Sequence, residues 1–110
     1  MQVDIRDDGG IVFIAPEGEI DGKTAPEFHE AVLKLVLPRA RIVLNMEGVA
    51  FMSSAGLRSM LLIYREAKSK DAKVVLAGVN SDIRKSMSAT GFLAFFVVAD
   101  SVRDAILQTG

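Results

Sequence analysis

Two adjacent hydroxyls, Ser53 and Ser54, stand in Met52-Ser53-Ser54-Ala55-Gly56-Leu57, where a short apolar segment gives way to a run with helical spacing. A hydroxyl in the first turn of a helix is exposed and faces the positive end of the helix dipole, beside backbone amides that lack intrahelical partners. A phosphate esterified to Ser54 would be tolerated there. It brings about −1.5 to −2 charges, and placing charge at that end of a helix is worth on the order of 0.3–1 kcal/mol. The fold should survive, while the surface seen by a partner would change. The same residues also have a plain structural reading: Ser53 caps the helix, Ser54 fills its first turn and Gly56 permits close packing. Spacing alone does not separate the two.

Other chemistry-bearing side chains are few. His29 is the single histidine and the chain has no cysteine, so it reads as a surface or boundary residue, neither metal ligand nor general base. A hydrolase triad has no support for the same reason. Asp4, Asp7 and Asp8 cluster beside Gly9-Gly10 and read as solvated turn residues. No G-x-G-x-x-G or G-x-x-x-x-G-K-[ST] spacing follows a strand, so neither dinucleotide nor P-loop binding is indicated. Asp21 is either a loop acid that accepts local amides or an acid beside Ser54 at one sheet edge. Arg58, one turn beyond Ser54, either meets a partner's carboxylate or stays solvated.

The elements that must position these residues follow from the pattern of apolar residues. Val3 and Ile5 alternate with polar residues, Asp8-Gly9-Gly10 supplies turn chemistry, and Ile11-Val12-Phe13-Ile14 restarts an apolar run, which reads as a β-hairpin. Thr24-Ala25-Pro26-Glu27 resembles a capping box. Phe28, Ala31, Val32, Leu35 and Val36 then line one helical face, and Pro38 closes that helix. Arg41 to Leu44 reads as a strand feeding a turn at Glu47-Gly48. The second helix starts near Ser53 or Ser54 and turns Leu57, Met60, Leu61 and Tyr64 inward. Lys73 to Ala77 is the next strand. Asn80 or Ser81 caps a third helix bearing Ile83 and Met87, with Gly91 as its stop. Phe95 to Val98 is the last strand, and Asp100 or Ser101 caps a terminal helix with Val102, Ala105 and Ile106 inward. The order β-β-α-β-α-β-α-β-α implies an α/β fold: a mixed sheet with a hairpin start and then parallel strands, and helices mainly on one side.

Composition sets the outer bounds. With 110 residues, half of them apolar, the chain is expected to form a single domain spanning 1–110. Thirteen Lys and Arg against fourteen Asp and Glu leave a net charge of −1, with the basic residues scattered, so nucleic-acid binding is not expected. No apolar run approaches the roughly 18 residues that suggest a membrane helix, and the N-terminus lacks the layout of a signal peptide. Together with the absence of cysteine, this makes a cytoplasmic protein without membrane attachment the expectation.

Residues Leu44-Asn45-Met46-Glu47-Gly48-Val49-Ala50-Phe51-Met52-Ser53-Ser54-Ala55-Gly56-Leu57 resemble a segment of the STAS-domain anti-sigma factor antagonists. In that family a strand and an acidic or polar Gly-Val turn lead through an aromatic to Asp-Ser-Ser/Thr-Gly-Leu. The resemblance extends to Gly18-Glu19-Ile20-Asp21 with Thr24-Ala25, and to Thr90-Gly91-Phe92. It implies the STAS fold with about four helices, and it places the phosphoacceptor on Ser54. It also implies a partner-binding face of Asp21, Thr24, Ser53, Ser54, Gly56 and Arg58. Two positions depart: Ser53 stands where the family commonly has aspartate, and Ala55 where a hydroxyl residue usually follows.

The resemblance further implies partner switching without catalytic activity or cofactor. The unmodified domain would bind an anti-sigma factor that is also a serine kinase, and phosphorylation of Ser54 would break the complex. A metal-dependent serine/threonine phosphatase would restore it. Ser54 is then a substrate, not a nucleophile. The departures at Ser53 and Ala55 also leave room for a second expectation, an accessory STAS subunit of a transport or lipid-trafficking complex that uses the same helix face without phosphate.

Overall fold

The computed structural model describes residues 1–110. Strands β1 (Gln2–Asp8) and β2 (Ile11–Ile20) form the expected hairpin, pairing antiparallel up to Asp8 opposite Ile11. The two residues between them, Gly9 and Gly10, both have positive φ, at 61° and 82°. A two-residue turn matched to the twist of the strands requires that backbone, and glycine adopts it without Cβ strain.

Beyond the hairpin the chain winds α1 (Ala25–Leu33), β3 (Arg41–Asn45), β4 (Val49–Met52), α2 (Ser54–Ser69), β5 (Lys73–Ala77), α3 (Ser81–Ala89), β6 (Val97–Ala99) and α4 (Val102–Gln108), with a 3₁₀ turn at Phe92–Phe95. The sheet order is β1-β2-β3-β5-β6, and β3, β5 and β6 all run parallel to β2. β4 stands apart from this path, pairing parallel with the last residues of β2 through Gly18 opposite Val49 and Ile20 opposite Met52. The first half of β2 thus pairs with β3, and its second half pairs with β4.

Alternation along the strands divides the core in two. Ile14, Ile42, Leu44, Val74 and Leu76 pack beneath Phe28 and Val32 of α1, Met60 and Ile63 of α2, and Ile83 and Met87 of α3. On the opposite face Val43, Val75, Ala77 and Ala99 meet Ala105 of α4. The small residues let that two-turn helix approach closely. Three helices therefore share one face, in keeping with helices mainly on one side, and α4 covers part of the other.

Several local details of the elements depart from the sequence expectation. β4 departs from the expectation of a turn: its end residues are buried and its middle two exposed, so it lacks the period-2 alternation that marks a strand. α1 stops at Leu33, well before Pro38, because the amides of Leu35 and Val36 turn back to Val32 and Leu33 in i to i−3 bonds; Val36 is still fully buried. The last strand is Val97–Ala99 and not Phe95 to Val98. The Phe95 ring stacks on Tyr64 at 4.8 Å instead of joining the ladder. In α4, Ala105 points inward but Ile106 faces solvent.

The other caps form as read. The Asn80 side chain accepts from the Ile83 amide at 2.9 Å, Ser101 accepts from the Asp104 amide at 3.1 Å, and Gly91 ends α3 with φ of 81°. Asn80 also donates to the carbonyls of Val49 and Ala50, tying α3 to β4.

Candidate functional site

Parallel strands carry ligand and partner sites at their carboxyl ends, where the chain leaves the sheet for a helix. Here β2 and β4 end side by side. The Ser53 amide donates to the Ile20 carbonyl at 2.8 Å, so the entry of α2 is stitched to the residue preceding Asp21. The loop after β2 therefore begins beside the start of α2.

Asp21 and Thr24 hold that loop between them. One Asp21 carboxylate oxygen accepts the amides of Lys23 at 2.9 Å and Thr24 at 3.1 Å. In return the Thr24 hydroxyl accepts the Asp21 amide at 2.9 Å and donates to the Glu19 carbonyl at 2.7 Å. This is the reciprocity of a capping box, displaced three residues upstream of the expected one. Thr24 makes no side-chain cap to α1, because its hydroxyl is already committed to Asp21 and Glu19. The bonds from the Thr24 and Lys23 amides stabilise the ionised carboxylate and hold the Asp21 pKa below its ordinary value.

Ser54 is the first residue of α2 and is exposed. Arg58 lies one turn on, also exposed, and takes part in none of the three ion pairs of the chain. Ser53 occupies the N-cap position with extended backbone, but its hydroxyl caps nothing. Its oxygen is buried without a hydrogen-bond partner, which corrects the reading of Ser53 as a functioning cap.

Gly56 is buried and is no part of the exposed surface. A Cβ there would lie 2.4 Å from Met52 Cγ and 3.0 Å from both Ile20 Cγ2 and the Ile20 carbonyl oxygen. Its place in the site is to let α2 rest on the ends of β2 and β4, which sets the position of Ser54.

Two exposed apolar side chains, one in β4 and one on α2, escaped the sequence reading. Phe51, in β4, is 50% exposed, and Leu62, two turns beyond Ser54, is 38% exposed. The spacing Ser54, Arg58, Leu62 puts the three on one helix face. The inward face instead uses Leu57, Met60, Ile63 and Ala67, with Leu61 and Tyr64 half-buried. His29 bridges α1 to α2, its Nδ1 lying 2.9 Å from the Ser59 hydroxyl, a boundary role. No three His, Asp or Glu side chains converge as a ligand set, and no helix is long and apolar enough to cross a membrane.

The arrangement offers an exposed hydroxyl at a helix start, an arginine without an ion pair one turn on, a fixed acid in the loop that leaves β2, and exposed apolar side chains on β4 and α2. Such a surface suits protein docking, with aromatic and arginine anchors among polar neighbours.

Comparison with known proteins places this geometry. The family model described as STAS domain matches residues 2–105. The chain is 27% identical over 93 residues to BtrV of Bordetella bronchiseptica, assigned as an anti-sigma factor antagonist, covering 84% of this chain and 80% of that protein. Among solved structures, an anti-sigma factor antagonist from Mycobacterium paratuberculosis superposes with a TM-score of 0.81 at 25% identity, covering 98% and 92% of the two chains. Bacillus SpoIIAA in its phosphorylated form superposes with a TM-score of 0.72 at 20% identity, covering 99% and 100%. The chain belongs to the STAS domain family, and relatives it resembles are anti-sigma factor antagonists.

Proposed function

We propose that this protein is an anti-sigma factor antagonist that works by partner switching. Unphosphorylated, it binds an anti-sigma factor that is also a serine kinase, and the bound sigma factor is released. The kinase transfers the γ-phosphoryl group of ATP to the Ser54 hydroxyl, which loses its proton as ADP leaves, and the complex separates. A metal-dependent serine/threonine phosphatase hydrolyses the phosphoester and regenerates the binding form. The observation that carries this reading is the placement of Ser54, exposed in the first turn of α2 beside the loop that Asp21 and Thr24 lock in place.

The physics of such a surface supports it. A group bearing about −1.5 to −2 charges is accommodated at a helix N-terminus, yet at the centre of a docking face it must be desolvated against the partner. Phosphate can thus abolish binding while leaving the fold intact. Within the face, Asp21 and Arg58 contribute charged groups, Thr24 fixes the loop that carries Asp21, Ser53 ties α2 to Ile20 through its backbone amide, and Gly56 supports Ser54 from beneath.

The test is incubation with ATP and a kinase-type anti-sigma factor from the same genome, followed by intact-mass analysis and peptide mapping. One phosphoryl group on Ser54, with loss of the complex on gel filtration, is the expected result. A stable complex that never incorporates phosphate would remove the switch from this reading, and the absence of any complex would remove the reading itself.

A further inference from the structure

The largest cavity in the molecule, about 330 Å³, lies at the far end of α2 from Ser54. The helix has 16 residues, so about 24 Å separates its two ends. Tyr64, Phe95 and Phe96 wall the groove, with Tyr64 stacked on Phe95 at 4.8 Å and set edge-on to Phe96 at 5.9 Å. Although packed together, these rings are not sealed in: Phe95 remains 44% exposed and its neighbour in β6, Val97, 41%.

The rim is charged. Lys68 and Lys73 line it and neither belongs to an ion pair; Lys68 Nζ rests 5.9 Å from the centre of the Tyr64 ring. Asp71, held in the left-handed turn between α2 and β5 with φ of 53°, lines it as well. The rim therefore carries two unpaired cations and one unpaired anion.

The groove opens beside β6, the last strand of the sheet. The two sheet edges differ. β1 carries Asp4, Arg6, Asp7 and Asp8, the charged guard that discourages another strand from pairing. β6 is Val97-Val98-Ala99 with no charge and has only β5 as a ladder partner. One edge is guarded and the other is open, and the open one borders the aromatic groove.

We propose that β6 and this groove form a second docking surface, which receives an extended segment of another protein by strand addition. The segment carries an apolar side chain with an acidic residue two positions along. Strand addition supplies main-chain hydrogen bonds, and pockets for alternate side chains supply specificity. Residues i and i+2 of a strand share a face about 6.6 Å apart, so the apolar side chain enters among Tyr64, Phe95 and Phe96 while the carboxylate meets Lys68 and Lys73. A second copy of this chain is the poorer occupant, because its own β6, Val97-Val98-Ala99, carries no acidic residue to meet Lys68 and Lys73. The surface is remote from Ser54, so a partner bound here stays attached in either state of the Ser54 face.

The test uses the full chain and a phage-displayed library of linear dodecapeptides, with selected peptides then synthesised. Enrichment of an apolar-x-Asp/Glu pattern is expected, with amide shifts on binding confined to Tyr64–Val74 and Phe95–Ala99. Lys68→Glu with Lys73→Glu should weaken binding at least about tenfold, equivalent to ~1.4 kcal/mol, while Arg58→Glu leaves it unchanged. Amide spectra of each variant establish that it is folded. Four outcomes would overturn the proposal: no enrichment, peptides that shift Ser54 and its neighbours instead, affinity indifferent to the charge reversal, or a concentration-dependent dimer dispersed by Phe95→Ser.

Discussion

Asp21 and Thr24 cap each other. The carboxylate of the first accepts the amide of the second at 3.1 Å, and the hydroxyl of the second accepts the amide of the first at 2.9 Å. With the Ser53 amide bound to Ile20 next door, this pair fixes the loop that leaves β2 beside the entry of α2. Loops usually hold function at some cost in order; this one is held by its own side chains.

The pair makes a pH-dependent contribution whose sign follows from the lowered Asp21 pKa. A carboxyl depressed in the folded state stabilises the fold above its ordinary value of 3.8, and that contribution disappears as pH falls through the folded-state value. Asp21→Asn keeps an oxygen acceptor but cannot ionise. Urea midpoints of the two proteins should differ by a constant amount above pH 3.8, wild type being the more stable, and converge at lower pH. A gap that persists unchanged into acid would show that the carboxylate charge contributes nothing to the loop.

Gly56→Ala sets two effects against each other. Alanine improves helix propensity by up to about 1 kcal/mol in a helix interior, and less here in the first turn. The new Cβ meets Met52 and the backbone oxygen of Ile20 at 2.4 and 3.0 Å. Overpacking of this kind costs about 1–3 kcal/mol, and because backbone is involved it wins. The variant should unfold at lower denaturant, and complex formation should weaken as α2 lifts and carries Ser54 with it. A stabilised variant would show that Met52 swings aside freely.

Ile63 and Leu61 test the register of α2. Ile63 is fully buried between sheet and helices, whereas Leu61 is half-buried beside Ser54, Leu57 and Phe92. Ile63→Ala should cost about 2–5 kcal/mol. Leu61→Ala should cost about 1 kcal/mol, since full burial of such a side chain is worth about 1.5–3. Equal losses in chemical denaturation would place the helix in a different rotation.

Helical spacing made the four helices legible, and short runs of apolar, largely β-branched residues bounded by turn residues made the hairpin and the parallel strands β3 and β5 legible. β4 was hidden because its two middle residues face solvent and it pairs with the bulged end of another strand. The true N-terminal box at Asp21 and Thr24 was hidden by a better-looking one at Thr24 and Glu27, since a hydroxyl cannot announce which of two amides it will serve. That Ser54 opens α2 and that Arg58 stands one turn beyond it was legible from helical spacing; the roles proposed for Ser54 and Asp21 come from the family resemblance and not from spacing. Phe51 and Leu62 were not legible, because apolar residues are read as core until a structure exposes them.

Ser53 supplies the last and most discriminating prediction, because its N-cap position and its unpartnered buried oxygen demand opposite results. Losing a working serine cap costs about 1 kcal/mol. Losing a buried hydroxyl without a hydrogen bond removes a penalty of about 1–3 kcal/mol, set against a small loss of packing. Ser53→Ala should therefore be as stable as wild type or more so, and a lowered unfolding midpoint would mean that the hydroxyl is satisfied in solution. The acceptor is untouched, so Ser53→Ala should still take phosphate from the kinase. Ser54→Ala should fold and bind but stay unmodified. Ser54→Asp should fold, since an acid suits a helix N-terminus, yet bind about 30-fold or more weakly, the effect of about 2–5 kcal/mol for a poorly compensated interface charge. Phosphate incorporated equally into Ser54→Ala and wild type would move the acceptor to another hydroxyl.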